Sequence, residues 1–300
     1  MGTYNGAEFL PQQLDSLAAQ THKNWRLWVS DDGSADATHD ILRRCQEAWG
    51  EDKLCLLAGP GRGFPANFLA LAARPDISAD YYAWSDQDDV WLPSKLARAL
   101  VHLAPYGPSR PVLYCGRTIL TDREGRDRGF SPLMTRRPPG FANALVQSLA
   151  GGNTMVFNQA ARELIAAQPD LSVVTHDWWA YQVVSGCGGM VLYDPEPLVR
   201  YRQHGGNLIG QNRGFIARWS RLKKLFAGVF KRYMALNLKA LNQVTPCLTP
   251  DSQAQVRTLA ELHGSANPLK RLRLFLAGGF HRQFRAEQLA LGLAAFAGRV

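Results

Sequence analysis

The chain has 300 residues, 46% of them hydrophobic, with 34 Lys and Arg against 25 Asp and Glu and a formal net charge of +9. That apolar share is ample for a buried core in one large domain or a domain with an appendage. Five scattered cysteines without C-x-x-C spacing argue against a disulfide framework or a zinc site, and the absence of a run of about 18 apolar residues argues against a membrane-spanning helix. No charged-then-apolar leader opens the chain, so a reducing cytoplasm is the expected setting.

The first two thirds alternate helix-like and strand-like patterns. Phe9, Leu10, Leu14, Leu17 and Ala18 recur at helical spacing, and Trp25 to Val29 reads as a strand that runs into Asp31-Asp32-Gly33-Ser34. Ile41, Leu42, Cys45 and Trp49 predict a helix, Lys53 to Ala58 a strand, Pro65 to Ala73 a helix and Tyr81 to Ser85 a strand, with another helix after Pro93. Residues 110–140 are rich in Arg, Gly and Pro and predict loops and short hairpins. Thr154 to Phe157 predicts a strand, 159–167 a helix, His176 onward another helix, and Met190 to Tyr193 and Leu198 to Tyr201 two strands. This rhythm predicts an α/β fold with a mostly parallel central sheet flanked by helices, whose ligands sit at the carboxyl ends of strands.

Asp86-Gln87-Asp88-Asp89 places three carboxylates together directly after the apolar run Tyr81-Tyr82-Ala83-Trp84. Carboxylates packed this closely repel one another unless a cation sits among them. Oxygen ligands favour a hard ion such as Mg²⁺ or Mn²⁺, often held by one or two carboxylates plus substrate phosphates. The bland alternative is a solvated acidic turn.

Six ordered segments carry a resemblance. They are Thr3-Tyr4-Asn5-Gly6, Asp31-Asp32-Gly33-Ser34, Gly63 to Phe68, Asp86 to Trp91, His176-Asp177-Trp178-Trp179 and Tyr201 to Asn207. In this order and spacing the chain resembles the family 2 glycosyltransferases of the GT-A fold, over roughly residues 1–212, with detail similar to bacterial rhamnosyltransferase-like members. Family members carry a full apolar strand before the T-Y-N-G segment. Only Met1 and Gly2 precede it here, so a shortened first strand, or a natural start further upstream, is expected.

The resemblance implies an inverting transfer from a dTDP- or UDP-sugar, with L-rhamnose the favoured sugar, to a saccharide or lipid-linked saccharide in surface polysaccharide synthesis. It implies Asp177 as general base, and Asp88 as metal ligand with Asp86, Asp89 and His204 as further candidates. Asp86 is also placed near the ribose, Asp89 alternatively caps the following helix, and His204 alternatively is a structural histidine. One of Asp31 and Asp32 would bind the base and the other would hold the turn. Thr3, Tyr4 and Asn5 would border the base. Arg62 and Arg202 would meet phosphate, Asn67 belongs to the matched G-x-x-x-N segment, and Gly151, Gly152 and Asn153 would line the donor sugar. Trp178 and Trp179 would form a platform for the acceptor, or be core residues.

Positive charge is concentrated late in the chain. Residues 213–300 hold 15 basic and 3 acidic side chains, a net of +12, whereas residues 1–212 hold 19 against 22, a net of −3. The first part therefore reads as the catalytic domain and the second as a basic helical extension. Arg218, Arg221, Lys223, Lys224, Lys231 and Arg232 interleave with Trp219, Leu222, Leu225, Phe226 and Phe230, and a second such stretch spans Lys270 to Arg285. Basic, aromatic helices suit an anionic membrane surface, which predicts peripheral association at the inner face of the cytoplasmic membrane. The same composition permits nucleic-acid binding. Yet the charge avoids the acidic motifs and no nucleic-acid motif is present, so nucleic acid is not an expected partner. A domain that binds nucleotide sugars without catalysis is the other rival, and the joint presence of Asp88 and Asp177 argues against it.

Overall fold

The computed structural model describes residues 1–168, 171–204 and 228–300. Three parallel strands open the fold: β1 (Gly2–Thr3), β2 (Leu27–Asp31) and β3 (Leu54–Ala58), ordered β1-β2-β3. Between them run α1 (Leu10–Ala18) and α2 (Thr38–Trp49). Leu10, Leu14 and Leu17 of α1 fall on one helical face and are buried against Val29, Leu42 and Leu54. α3 (Phe64–Ala73) starts after Gly63 at φ 85° and carries Pro65 in its first turn.

A second sheet contains β4 (Tyr81–Ala83), β5 (Val90–Trp91), β6 (Val112–Thr121), β7 (Asp127–Phe130), β8 (Val156–Asn158) and β9 (Met190–Arg202). Its order is β4-β8-β6-β9-β5, with β7 paired to β6. Here only β6 and β9 run parallel, and the other ladders are antiparallel. The expected α/β architecture is present, with the parallel pairing concentrated in the first sheet. The two sheets meet where the Gly2 amide donates to Ser85 O at 3.3 Å. α1 braces the junction, because the buried Gln13 side chain donates to Ser85 Oγ and Ser16 Oγ accepts from the Trp91 amide.

The region expected as loops and hairpins contains the ten-residue strand β6 at the middle of the second sheet. The Arg, Gly and Pro content of its flanks masked Val112 to Cys115, which are buried on both faces and so show no alternation. The two strands expected near 190 and 198 are a single strand, irregular where Pro195 and Pro197 interrupt the pairing between Gly116 and Thr118.

Helices α4 (Lys95–Leu103), α5 (Phe141–Ala144), α6 (Gln159–Ala166) and α7 (His176–Gly186) cover this sheet. Asn158 caps α6 by accepting from the Ala161 amide, and Thr175 caps α7 by accepting from the Trp178 amide. α8 (Val229–Gln243), α9 (Pro250–Gly264), α10 (Pro268–Ala277) and α11 (Arg285–Phe296) complete the described chain. Their Met234, Leu241, Leu259, Phe275 and Leu291 join the same apolar core as Phe141, Trp179 and Tyr181. The expected boundary at 212–213, and the basic stretch from Arg218 to Phe226, lie outside the described residues. Among the described residues, no helix is long and apolar enough to cross a membrane.

Asn67 latches α3 to β2. It is buried, accepts from Ser30 Oγ and donates to Ser30 O at 2.8 Å. Asn67→Ala therefore strands two buried polar groups of Ser30. We expect a loss of about 1–3 kcal/mol, read as a lower urea midpoint at unchanged slope.

Candidate functional site

The carboxyl ends of the parallel strands carry Thr3, Asp31 and the loop after Ala58. Asp31 is buried and fully engaged. Thr3 Oγ1 donates to Asp31 Oδ2 at 2.8 Å, the Ser34 amide and hydroxyl donate at 2.8 and 2.6 Å, and the Gly33 amide donates at 3.1 Å. His39 Nε2 lies 3.0 Å from Asp31 Oδ1. Burial alone would raise the Asp31 pKa, but the Ser34 and Thr3 hydrogen bonds outweigh it and hold the carboxyl below its usual value. Asp31 therefore keeps the turn, and Asp32 is the half-buried member of the pair. Asp32 Oδ1 and Oδ2 accept from the Gly61 and Gly63 amides, each at 2.7 Å, on either side of the exposed Arg62.

The T-Y-N-G loop is stitched to this edge. The Asn5 amide donates to Ser34 Oγ and Asn5 Oδ1 accepts from the Ala35 amide, with Asn5 at φ 47°, a conformation asparagine tolerates. Tyr4 is exposed, but its backbone forms a two-point clamp with Gln87, whose Oε1 accepts from the Tyr4 amide at 2.8 Å and whose Nε2 donates to Tyr4 O at 2.9 Å. A Cβ at Gly6 would stand 2.3 Å from Gln87 Oε1, so a side chain here would displace the Gln87 clamp. Gln87 was not singled out in the sequence, although it sits inside the acidic motif.

The acidic motif divides into three environments. Asp88 is partly exposed and its Oδ2 lies 2.8 Å from His204 Nε2, which packs beside Phe9. Asp86 is half-buried, and its carboxyl is pushed up to about 7 by burial and by repulsion from Asp88 and Asp177. That repulsion ties the motif to Asp177. Asp89 is fully buried. Its Oδ2 accepts from the Asn153 side chain and its Oδ1 from the Arg202 amide at 3.3 Å. Burial and the neighbouring Asp88 and Asp86 charges raise the Asp89 pKa well above normal, against those hydrogen bonds.

Several expected site residues have other work. Asp89 neither caps a helix nor faces an open site, because its oxygens hold Asn153 and β9. Asn153 is correspondingly buried and committed to Asp89. Arg202 is buried, and its guanidinium donates to Asp88 O, Arg123 O and Gln12 Oε1, so its charge braces the Asp88 loop. Asn67 serves the α3 latch. Trp178 and Trp179 are 7% and 1% exposed, with indole N–H groups donating to Ala144 O and Ile165 O. They are core residues, which corrects the expected acceptor platform: α7 is buried on nearly every face. Gly205, Gly206 and Asn207 lie outside the described residues.

Asp177 is half-buried in the first turn of α7. Its Oδ1 accepts from Thr175 Oγ1 and from the Trp178 amide, and its Oδ2 accepts from the Gly152 amide at 3.1 Å. Gly151 is exposed beside it. A Cβ on Gly152 would meet His176 Nε2 at 2.3 Å, so histidine packing already demands glycine here. Lys95 was also missed in the sequence. It is buried with its ammonium 3.4 Å from the centre of the Trp91 ring, and burial, only partly offset by the Asp89 charge, lowers it to about 7.

Among the described residues, no three His, Cys, Asp or Glu side chains converge as a ready metal cage. Asp88 and His204 offer one oxygen and one nitrogen side by side, next to the Asp86 carboxyl, which burial and the Asp88 charge push up to about 7. That donor set fits a divalent ion that also takes substrate phosphate oxygens, rather than an all-protein site.

A sequence profile described as "Glycosyl transferase family 2" matches residues 1–164. The dTDP-rhamnosyl transferase RfbG of Shigella flexneri is 28% identical over 232 residues, covering 74% of this chain and 78% of that protein. The putative glycosyltransferase EpsE of Bacillus subtilis is 30% identical over 144 residues, covering 47% and 49%. Among solved structures, S. aureus TarS 1-349 superposes with a TM-score of 0.55 at 14% identity, covering 100% of this chain and 79% of that one. The mannosyltransferase PcManGT from Pyrobaculum calidifontis, in complex with GDP-Man and Mn²⁺, superposes at 0.51 with 17% identity, covering 99% and 84%. The fold is therefore GT-A.

His176 generates a testable pH dependence. It is buried between Phe68 and Trp84, and burial lowers it to about 4 from an ordinary value near 6.5. The unfolded chain therefore binds the extra proton first, and stability present above pH 6.5 is lost as pH falls toward 4, by on the order of 3 kcal/mol at most. Asp86 works in the opposite sense, because its raised pKa makes the folded state take a proton first. Comparison with His176→Asn isolates the histidine: the variant should gain melting temperature relative to the parent as pH falls from 6.5 to 4.

Proposed function

Given that this chain belongs to glycosyl transferase family 2, we propose that it moves a sugar from a nucleoside diphosphate to an acceptor hydroxyl, with inversion at the anomeric carbon. One observation carries the proposal: adjacent residues Gly152 and Asn153 bridge the two motifs, the Gly152 amide donating to Asp177 Oδ2 and the Asn153 side chain to Asp89 Oδ2, while Asp88 pairs with His204. A base and a diphosphate-binding group thus share one edge of the fold.

Asp177 is oriented by three donors that leave its carboxylate fixed at the first turn of α7. It takes the proton of the acceptor hydroxyl as that oxygen bonds to the anomeric carbon. The bond from that carbon to the diphosphate breaks in the same displacement, its electron pair leaves with the nucleoside diphosphate, and Asp177 later releases the proton to solvent. A divalent ion held by Asp88 and His204 would supply positive charge at the leaving diphosphate. Asn5, Asp32 and the Tyr4–Gln87 clamp form the edge offered to the nucleoside, with buried Thr3 behind them holding Asp31. Half-buried Asp32 is the base-facing candidate and Asp31 the structural partner.

The likeness to RfbG, a dTDP-rhamnosyl transferase, over most of both chains supports dTDP-L-rhamnose as donor. A saccharide or lipid-linked saccharide is the proposed acceptor, at the cytoplasmic face of a membrane. The decisive experiment is donor binding and hydrolysis with Mn²⁺ or Mg²⁺ across UDP-, dTDP- and GDP-sugars. Metal-dependent binding of dTDP-rhamnose supports the reading, and a folded protein that binds no member overturns it. Asp177→Asn should lower transfer by at least about a hundredfold with donor affinity little changed. Loss of donor binding as well would mark Asp177 as structural.

A further inference from the structure

A cavity of about 600 Å³ opens between the loop at Arg136 and Arg137 and the start of α11, with Arg282, Arg285 and Leu289 also lining it. It is built from residues outside the acidic motif and outside the six matched segments. Gln283 is buried and clamps the loop from both sides. Its Oε1 accepts from the Arg137 amide at 3.1 Å and its Nε2 donates to Arg137 O at 2.9 Å. The Gln283 amide in turn donates to Gln147 Oε1, and Asn143 donates to His281 O. The Arg136 and Arg282 guanidinium groups lie over Phe284 and Phe230, at 5.8 and 4.9 Å from the ring centres. The arginines are thus carried by an ordered frame. Among the described residues, no carboxylate forms an ion pair with Arg136, Arg137 or Arg285.

The same helix carries an apolar stripe that runs on from the cavity at Leu289. Leu289, Leu293 and Phe296 are 71%, 64% and 42% exposed, and their spacing of four and three residues puts them on one face with Arg285. The neighbouring α10 exposes Leu269 and Leu276, at 72% and 69%, with Arg273 between them on that face. Arg271 fastens the two helices by donating to Phe296 O. Solvated leucines in series are costly on a free surface and mark a site of contact.

We propose that this arginine cavity binds the phosphate of an anionic membrane lipid, with Leu289, Leu293 and Phe296 entering the interface beside it. Guanidinium groups suit phosphate oxygens in charge and geometry. An apolar face next to a cationic one suits the boundary between headgroups and acyl chains. The inference deepens the acceptor side of the proposed transferase and rests on that reading for its purpose, but its test uses no sugar donor.

The full chain should sediment with phosphatidylcholine–phosphatidylglycerol vesicles and stay free of phosphatidylcholine vesicles. Arg136→Gln with Arg285→Gln should weaken that partition roughly thirtyfold, from about 1 kcal/mol per basic residue at the surface. Leu289→Ser with Leu293→Ser should weaken it too. The four positions are exposed, so an unchanged melting temperature and unchanged nucleotide-sugar binding separate loss of the membrane contact from loss of fold or of the transferase site. Vesicle binding unaffected by both pairs of substitutions overturns the proposal. So does arginine-dependent binding of inorganic diphosphate, or of duplex DNA, by a chain that ignores anionic vesicles.

Discussion

Crowded negative charge is the constraint around which the site is arranged. Asp86, Asp88, Asp89 and Asp177 meet at one edge of the fold, where burial and the charges of their neighbours raise the pKa of Asp86 and Asp89. The protein distributes the load unequally. Asp89 is buried and held by Asn153 and the β9 backbone, with the Lys95 ammonium near enough for its pKa to feel Asp89. Asp88 stays accessible beside His204. Asp177 is tied to the α7 cap and the Gly152 amide. The members left near solvent are Asp88 and Asp177, each held by a partner on another segment of the chain.

Rigidity at this edge comes from polar side chains that bridge separate loops. Gln87 joins the acidic motif to the T-Y-N-G loop, Asn5 joins that loop to the turn after β2, and Asp32 joins the same turn to the loop before α3. Arg202 brings the end of β9 back to Asp88. Such bridges keep ligand-facing groups within small tolerances without burying them. The glycines follow from the bridges: Gly6 yields to Gln87, and Gly152 yields to His176. The small residues at these two positions are thus explained by the protein's own packing.

The C-terminal helices are joined to the catalytic layers through a continuous core, with Phe141 and Tyr181 on one side and Leu241, Phe275 and Leu291 on the other. Gln283 and Asn143 add polar links across the same junction. A surface engaged by α11 is therefore mechanically connected to α5, whose Ala144 carbonyl accepts from Trp178, the neighbour of Asp177. That continuity gives the basic extension a fixed orientation relative to the site.

The sequence by itself determined the alternation of helices and strands, the order of the motifs and the family. Those properties depend on local periodicity and on residue types that must recur in order, such as Leu10, Leu14 and Leu17 on one face of α1 or the carboxylates after β4. Tertiary structure alone decided which motif residues face a ligand. Asp89, Asn153, Arg202 and the two tryptophans of α7 carry the right chemistry at the right spacing, yet burial and hydrogen-bond partners far along the chain claim them. Strand β6 was hidden for a related reason, because a strand covered on both faces shows no alternation to read. The arginine cavity joins residues 136–137 to residues 282–289, a separation across which no sequence pattern operates. Composition could place the charge in the last third of the chain, but only folding could gather four guanidinium groups around one opening.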